Sequence, residues 1–124
     1  MNGNKLLLDT NIVLSMLDGD TTLSDFLFDK ELYISFITEM ELLSYKKITV
    51  KEQKAIKQFI KELLIIDIND AIKIKAITLR KTSNIKLPDA IIAATSLWLN
   101  TPLVTADKQL SNVKGVKIIY YQNG

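Results

Sequence analysis

Four acidic residues sit where the chain leaves an apolar segment: Asp9 after KLLL, Glu41 in SFITEMELL, Asp89 in KLPDAIIAA and Asp107 in PLVTAD. The chain contains neither His nor Cys. That pairing removes the imidazole base, the thiolate nucleophile and a zinc site of the usual nitrogen and sulfur type. What remains for hydrolysis is carboxylate chemistry around a hard cation that takes oxygen ligands, such as Mg2+ or Mn2+. Four carboxylates at one crevice would repel strongly, since two unit charges 4 Å apart cost about 4 kcal/mol at an effective dielectric near 20. Such a cluster needs a cation, or some of its members stay protonated. A bound divalent ion removes the penalty and acquires a chemical role in acidifying water and stabilising charge on a phosphoryl oxygen.

Each acid also has a structural explanation when taken singly. Asp9 can cap a helix starting near Asn11, and Glu41 can complete a capping box with Thr38. Asp89 suits the positive end of a helix dipole, and Asp107 suits a turn. The functional reading therefore rests on whether the fold brings the four together.

The elements that would do so alternate in type. Short apolar runs of strand character occupy residues 5–8, 32–36, 64–68, 102–104 and 116–121. A helix over 50–64 is marked by Ile56, Phe59, Ile60 and Leu63 on one stripe, and by a capping box of Thr49 with Glu52. A helix over 88–99 opens with Pro88 and Asp89. Residues 69–83 alternate like a strand, yet Asn69 is a good N-cap and Ile72, Ala76 and Leu79 share a helical face, so a helix is expected. Shorter helices are expected at 11–18, 22–29, 38–47 and 106–111. This order predicts an α/β fold, a three-layer α/β/α sandwich around a mostly parallel sheet of four to five strands joined by right-handed crossovers. In such a sheet, ligands bind beyond the carboxyl ends of the strands, where Asp9, Asp107 and the segment leading to Glu41 fall. Asp89 would enter from the start of its helix.

The chain of 124 residues, 48% of them hydrophobic, is long enough to bury a core, and a single domain over residues 1–124 is expected. No apolar run approaches the ~20 residues of a membrane span, and MNGNKLLLDT lacks a secretory h-region, so a cytoplasmic location without membrane contact is expected. Net charge is only +2, but between Lys46 and Glu62 six Lys face two Glu. That stripe is either a solvated helix face or a surface for phosphate backbone, which Lys contacts as a point charge. Ile12, Leu23, Phe26 and Phe28 are expected in the core in preference to an exposed groove for a partner helix.

Taken together, LLLDTNI at 6–12, SFITEMELL at 35–43, KLPDAIIAA at 86–94 and VTADKQL at 104–110 resemble the PIN-domain ribonucleases, in particular the VapC-type toxins of toxin-antitoxin pairs. Each motif alone is common, but four in order are specific, and the resemblance spans nearly the whole chain. It implies that Asp9, Glu41, Asp89 and Asp107 are catalytic and metal-binding, with Asn11 and Thr105 as neighbouring groups that orient carboxylates or water. It also implies a Mg2+- or Mn2+-dependent endoribonuclease leaving 5′-phosphate and 3′-hydroxyl ends, an RNA substrate, a cognate antitoxin and a homodimer. The family often places an aromatic or basic residue shortly after the fourth acid, where this chain reads DKQLSN. The competing reading is a catalytically inactive PIN-like module for RNA binding or assembly. An aspartyl-nucleophile phosphatase fits poorly, because its second Asp is replaced by Asn11, and a phosphorylated receiver domain fails for want of paired acids after the first strand.

Overall fold

The computed structural model describes residues 4–122; the first three residues and the last two of the expected span lie outside it. Five strands form one sheet in the order β3-β2-β1-β4-β5, and every pairing is parallel. The strands are β1 (Lys5–Leu8), β2 (Glu31–Ser35), β3 (Leu64–Ile66), β4 (Leu103–Thr105) and β5 (Ile118–Tyr120). Between them run α1 (Thr10–Leu17), α2 (Thr21–Leu27), α3 (Phe36–Leu43), α4 (Val50–Ile60), α5 (Asp70–Thr82), α6 (Leu87–Leu99) and the short α7 (Lys108–Ser111).

The central strand is a continuous Leu run because both of its faces are covered. Alternation of side chains along a strand sends Leu7 to one side with Tyr33 and Leu103, where α5 and α6 supply Ile72, Ala76, Ile92 and Ala93. It sends Leu6 and Leu8 to the other side with Ile34 and Val104, where Ile12, Leu23, Leu42, Ile56 and Ile60 from α1 to α4 close the second core. Three layers follow from these two cores.

Capping chemistry sets where the helices begin. Thr49 and Glu52 exchange hydrogen bonds of 3.0 and 2.9 Å in the expected capping box of α4. Asn69 accepts from the Ile72 N–H, and α5 buries Ile72, Ala76 and Leu79, so the alternating stretch is helical. The box between Thr38 and Glu41, the structural alternative to a functional Glu41, does not form. The chain turns into α3 directly after β2, with Ser35 as the N-cap accepting from the Ile37 N–H, which places Thr38 inside the first turn. A departure concerns the apolar residues of the first crossover. Ile12 and Leu23 are fully buried, whereas Phe26 is 42% and Phe28 88% exposed. α2 is short and shields only one face, so the aromatics near its end project past the core. Among the described residues no helix is long and apolar enough to cross a membrane.

Candidate functional site: an acidic pocket at the strand ends

The carboxyl ends of β1 and β4, the start of α6 and one face of α3 border an open pocket of about 420 Å³ lined by Asp9, Glu41, Asp89 and Asp107 together with Thr10, Asn11, Ser44 and Tyr45. No Lys or Arg lines it among the described residues.

Asp9 is the most constrained of the four. It follows the buried Leu6–Leu8 of β1, its N–H donates to the Val104 carbonyl at 3.0 Å, and it caps α1. Its two carboxylate oxygens accept one hydrogen bond each, from the Thr10 N–H at 2.8 Å and from the Thr105 hydroxyl at 2.7 Å. The Thr105 hydroxyl accepts in turn from the Asp107 N–H at 3.0 Å, so one buried side chain sets the distance between two acids nearly a hundred residues apart in sequence. Asp107 caps α7 through the Gln109 N–H.

Glu41 lies on exposed α3 surface and is drawn to the pocket by the Thr10 hydroxyl, which donates to its Oε1 at 2.6 Å. Thr10 Oγ1 also stands 3.0 Å from the buried Thr38 Oγ1. A hydroxyl has one proton. With that of Thr10 given to Glu41, Thr38 is the donor in the second bond. Asp89 enters from the first turn of α6, after Lys86 as N-cap and Pro88, and is half-buried.

The electrostatics record the crowding. Burial pushes the Asp9 carboxyl above its ordinary value despite the opposing hydrogen bonds from Thr105 and Thr10, and the charges of Asp107 and Glu41 add to the rise. Asp89 is pushed up to about 6, first by burial, then by the charges of Asp9, Asp107 and Glu41, with Lys86 pulling the other way. Like charges and desolvation act together here, which is the environment expected of a functional carboxylate cluster. Among the described residues, however, no three of these carboxylates converge tightly enough to enclose one ion by themselves.

Of the six residues singled out from the sequence, Asp9, Asn11, Glu41, Asp89 and Asp107 border one pocket, and Thr105 lies buried behind it. Thr105 contacts Asp9 directly. Asn11 lines the pocket but is exposed, and no hydrogen bond of its side chain to a carboxylate is present among the described residues. Orientation of Glu41 falls instead on Thr10, beside it in the DTN motif. The sequence held a signal for this in the matched hydroxyls of Thr10 and Thr38, but nothing in the linear order says that they meet. Ser44 and Tyr45, also on the pocket wall, carried no such signal.

Comparison with known proteins agrees with this architecture. The sequence profile of the PIN domain matches residues 6–116. A toxin-antitoxin complex from Klebsiella pneumoniae superposes with a TM-score of 0.78 at 30% identity, over 90% of this chain and 94% of that one. VapBC2 from Rickettsia felis, bound to a DNA fragment from the promoter, gives a TM-score of 0.82 at 22% identity over 95% and 99% of the two chains. DNA-bound VapBC from Salmonella typhimurium gives 0.80 at 19% identity over 94% and 97%. No curated protein matches the sequence.

Proposed function

The chain belongs to the PIN domain family, and from that premise we propose that it is a metal-dependent endoribonuclease that hydrolyses RNA phosphodiester bonds as the toxin of a type II toxin-antitoxin pair. The observation that carries this reading is the meeting of Asp9, Glu41, Asp89 and Asp107, from four separate elements, on one pocket with no Lys or Arg among its walls in the described residues.

The donor set fits Mg2+ or Mn2+. All four side chains offer oxygen, and the carboxyls of Asp9 and Asp89 are raised first by burial and then by the neighbouring carboxylates, both of which a bound cation would offset. Because no three carboxylates among the described residues close around one point, the set suits an ion that keeps several waters and takes one or two carboxylates directly, as Mg2+ commonly does. When bound, such a cation acidifies water and offsets charge building on a phosphoryl oxygen.

The side chains of this protein supply the rest. Asp9, held from both sides by Thr10 and Thr105, is the fixed ligand, and Asp107 is placed against it through the same Thr105 hydroxyl. Glu41 is kept on the pocket by Thr10. Asn11 is free to orient water. As water attacks phosphorus in line with the departing 3′-oxygen, one of the four carboxylates takes its proton, the P–O3′ bond breaks, the 3′-oxygen takes a proton from solvent, and the products end in 5′-phosphate and 3′-hydroxyl. The alternative route through the RNA's own 2′-hydroxyl most often uses a His base, which the chain lacks.

The toxin role draws its support from the toxin-antitoxin complex of Klebsiella pneumoniae at 30% identity, and the exposed Phe26 and Phe28 give an antitoxin an apolar foothold. A homodimer and a cytoplasmic location belong to the same reading. The test is incubation of the purified protein with total RNA, with Mn2+ or with EDTA, beside Asp9→Asn, with ends mapped at nucleotide resolution. Cleavage confined to the Mn2+ sample and lost in Asp9→Asn supports the reading. Cleavage that survives EDTA, or ends in cyclic phosphate, refutes it. Co-expression with the product of the neighbouring open reading frame, followed by pull-down, tests the partner.

A further inference from the structure

The acidic pocket can hold a cation, but it repels the strand it would cut, because the phosphates flanking a scissile bond carry the same sign as its walls. A substrate contact must therefore come from outside the pocket. The segment leading out of it is basic. Ser44 and Tyr45 are pocket wall, Lys46 and Lys47 follow at once, and α4 then carries Lys51, Lys54 and Lys57, with Lys61 at its C-cap. At 100° per residue these last four lysines fall within about 120° of the helix circumference, opposite Ile56 and Ile60, and they span about 15 Å along its axis. All six lysines are exposed. Among the described residues none of them is in an ion pair, and Glu52, the one acid within the stretch from 46 to 61, has its carboxylate engaged by the Thr49 N–H.

Tyr45 stands at the junction. It lines the acidic pocket and also the adjoining apolar groove beside Leu14, Ile48 and Ile56, and its side chain remains 42% exposed. A half-exposed aromatic at the mouth of a negative pocket, followed by a row of unpaired cations, has the two parts of a single-strand binding surface: a ring for a base to stack on and point charges for the backbone. A lipid surface is a poor match for the same lysines, because Ile56 and Ile60 of the apolar side of α4 are buried in the core, leaving Val50 as the one exposed large hydrophobic residue of the helix, too little for an inserting face.

We propose that Tyr45 and the lysines of residues 46–61 form the track by which single-stranded RNA enters the acidic pocket, Tyr45 stacking a base next to the scissile bond and the lysines holding the phosphates beyond it. This rests on the ribonuclease reading, so binding is measured apart from cleavage.

The experiment uses the full chain in EDTA and a fluorescein-labelled oligouridine, with affinity read by anisotropy across a salt series. Replacing Lys51, Lys54, Lys57 and Lys61 together by Gln should weaken binding at least about tenfold and reduce the magnitude of the log–log salt slope by roughly 2 to 3. Tyr45→Ala should weaken it about tenfold while Tyr45→Phe retains it, since the stacking face and not the hydroxyl is used. Unchanged circular dichroism and melting temperature show that the variants fold. A lysine variant that binds RNA like the parent with the same slope overturns the track. So does a duplex bound as tightly as the single strand, or RNA affinity that survives while attachment to phosphatidylglycerol vesicles is lost. Should the parent bind through these residues yet cut no RNA in Mn2+, the ribonuclease reading fails and the track stands.

Discussion

The acidic pocket and the lysine-bearing flank of α4 hold charge in opposite ways. In the pocket, four carboxylates from distant parts of the chain are gathered at the strand ends, and the most buried of them, Asp9, has both oxygens tied by hydrogen bonds. On the flank, six lysines close in sequence stand in solvent, none in an ion pair among the described residues. Charge in the pocket is concentrated against its own repulsion and so stores a demand for a cation. Charge on the flank is dispersed in water, where each lysine costs almost nothing and contributes little alone. The pocket should accordingly be sensitive to single atoms, and the flank only to numbers.

The harshest test of that contrast is Asp9→Asn. It should remove Mn2+-dependent cleavage by more than the roughly hundredfold that loss of a supporting group costs. It should also abolish the rise in melting temperature that Mn2+ gives the parent by binding the folded state alone, read by thermal denaturation with and without the ion. Substantial Mn2+ stabilisation of this variant would show that the pocket is not the cation site.

Next in size is Thr105→Val, nearly isosteric, which deletes the hydroxyl between Asp9 and Asp107. Cation affinity should drop by roughly 10- to 100-fold, measured as the Mn2+ titration midpoint, while the fold persists. If the midpoint stays put, the tie is structural only.

A third prediction follows from the pH dependence of the ion-free protein. The folded-state value of Asp89, about 6, lies above its ordinary 3.8. The folded protein therefore holds this proton more tightly than the unfolded chain does. The associated stability is complete below about pH 4 and is lost as pH rises through 6. Asp89→Asn should consequently raise the melting temperature of the ion-free protein at pH 7.5. Discounted for the solvent screening of a half-buried group, the gain is on the order of 1 kcal/mol, or roughly 3 to 5 °C at this chain length. The gap should narrow toward pH 4.5, and excess Mn2+ should reverse its sign in favour of the parent. An advantage for Asp89→Asn that does not change with pH would contradict the charge crowding.

The smallest effect belongs to the flank. Lys57→Gln alone should leave stability within about 0.5 kcal/mol and weaken RNA binding only a few-fold at low salt, with the difference vanishing at high salt. A large loss from this single lysine would mean that the flank is as specific as the pocket.

Much of the arrangement was legible because strong local patterns coincide with it. KLLL reads as a short apolar strand and is one, with its three leucines buried. Thr49 with Glu52 starts α4 where their spacing says, and Asn69 settles the ambiguous stretch after it in favour of helix. The four acids follow their apolar segments closely enough to be picked out one by one. Where local pattern leaves a choice open, the structure decides it for one kind of reason. The pairing of Thr38 with Glu41 is a plausible cap until β2 is seen to end at Ser35, which moves the start of α3 back by three residues and leaves both side chains on the helix body. Phe26 and Phe28 look like core residues, but their burial depends on what covers α2, and nothing among the described residues does. Asn11 and Thr10 are adjacent in the DTN motif, and only the turn of α1 decides that Thr10, not Asn11, reaches Glu41.

The linear order of residues determined the types available for chemistry, the strand and helix periods, and the family pattern, because each of these is written within a few neighbouring positions. Convergence was decided in three dimensions. Asp9 and Asp107 share the Thr105 hydroxyl because β1 and β4 pair in parallel at the middle of the sheet, and the rise of Asp89 to about 6 comes from burial and from charges on three other elements. Coulomb forces and desolvation act through space, so no stretch of sequence contains them.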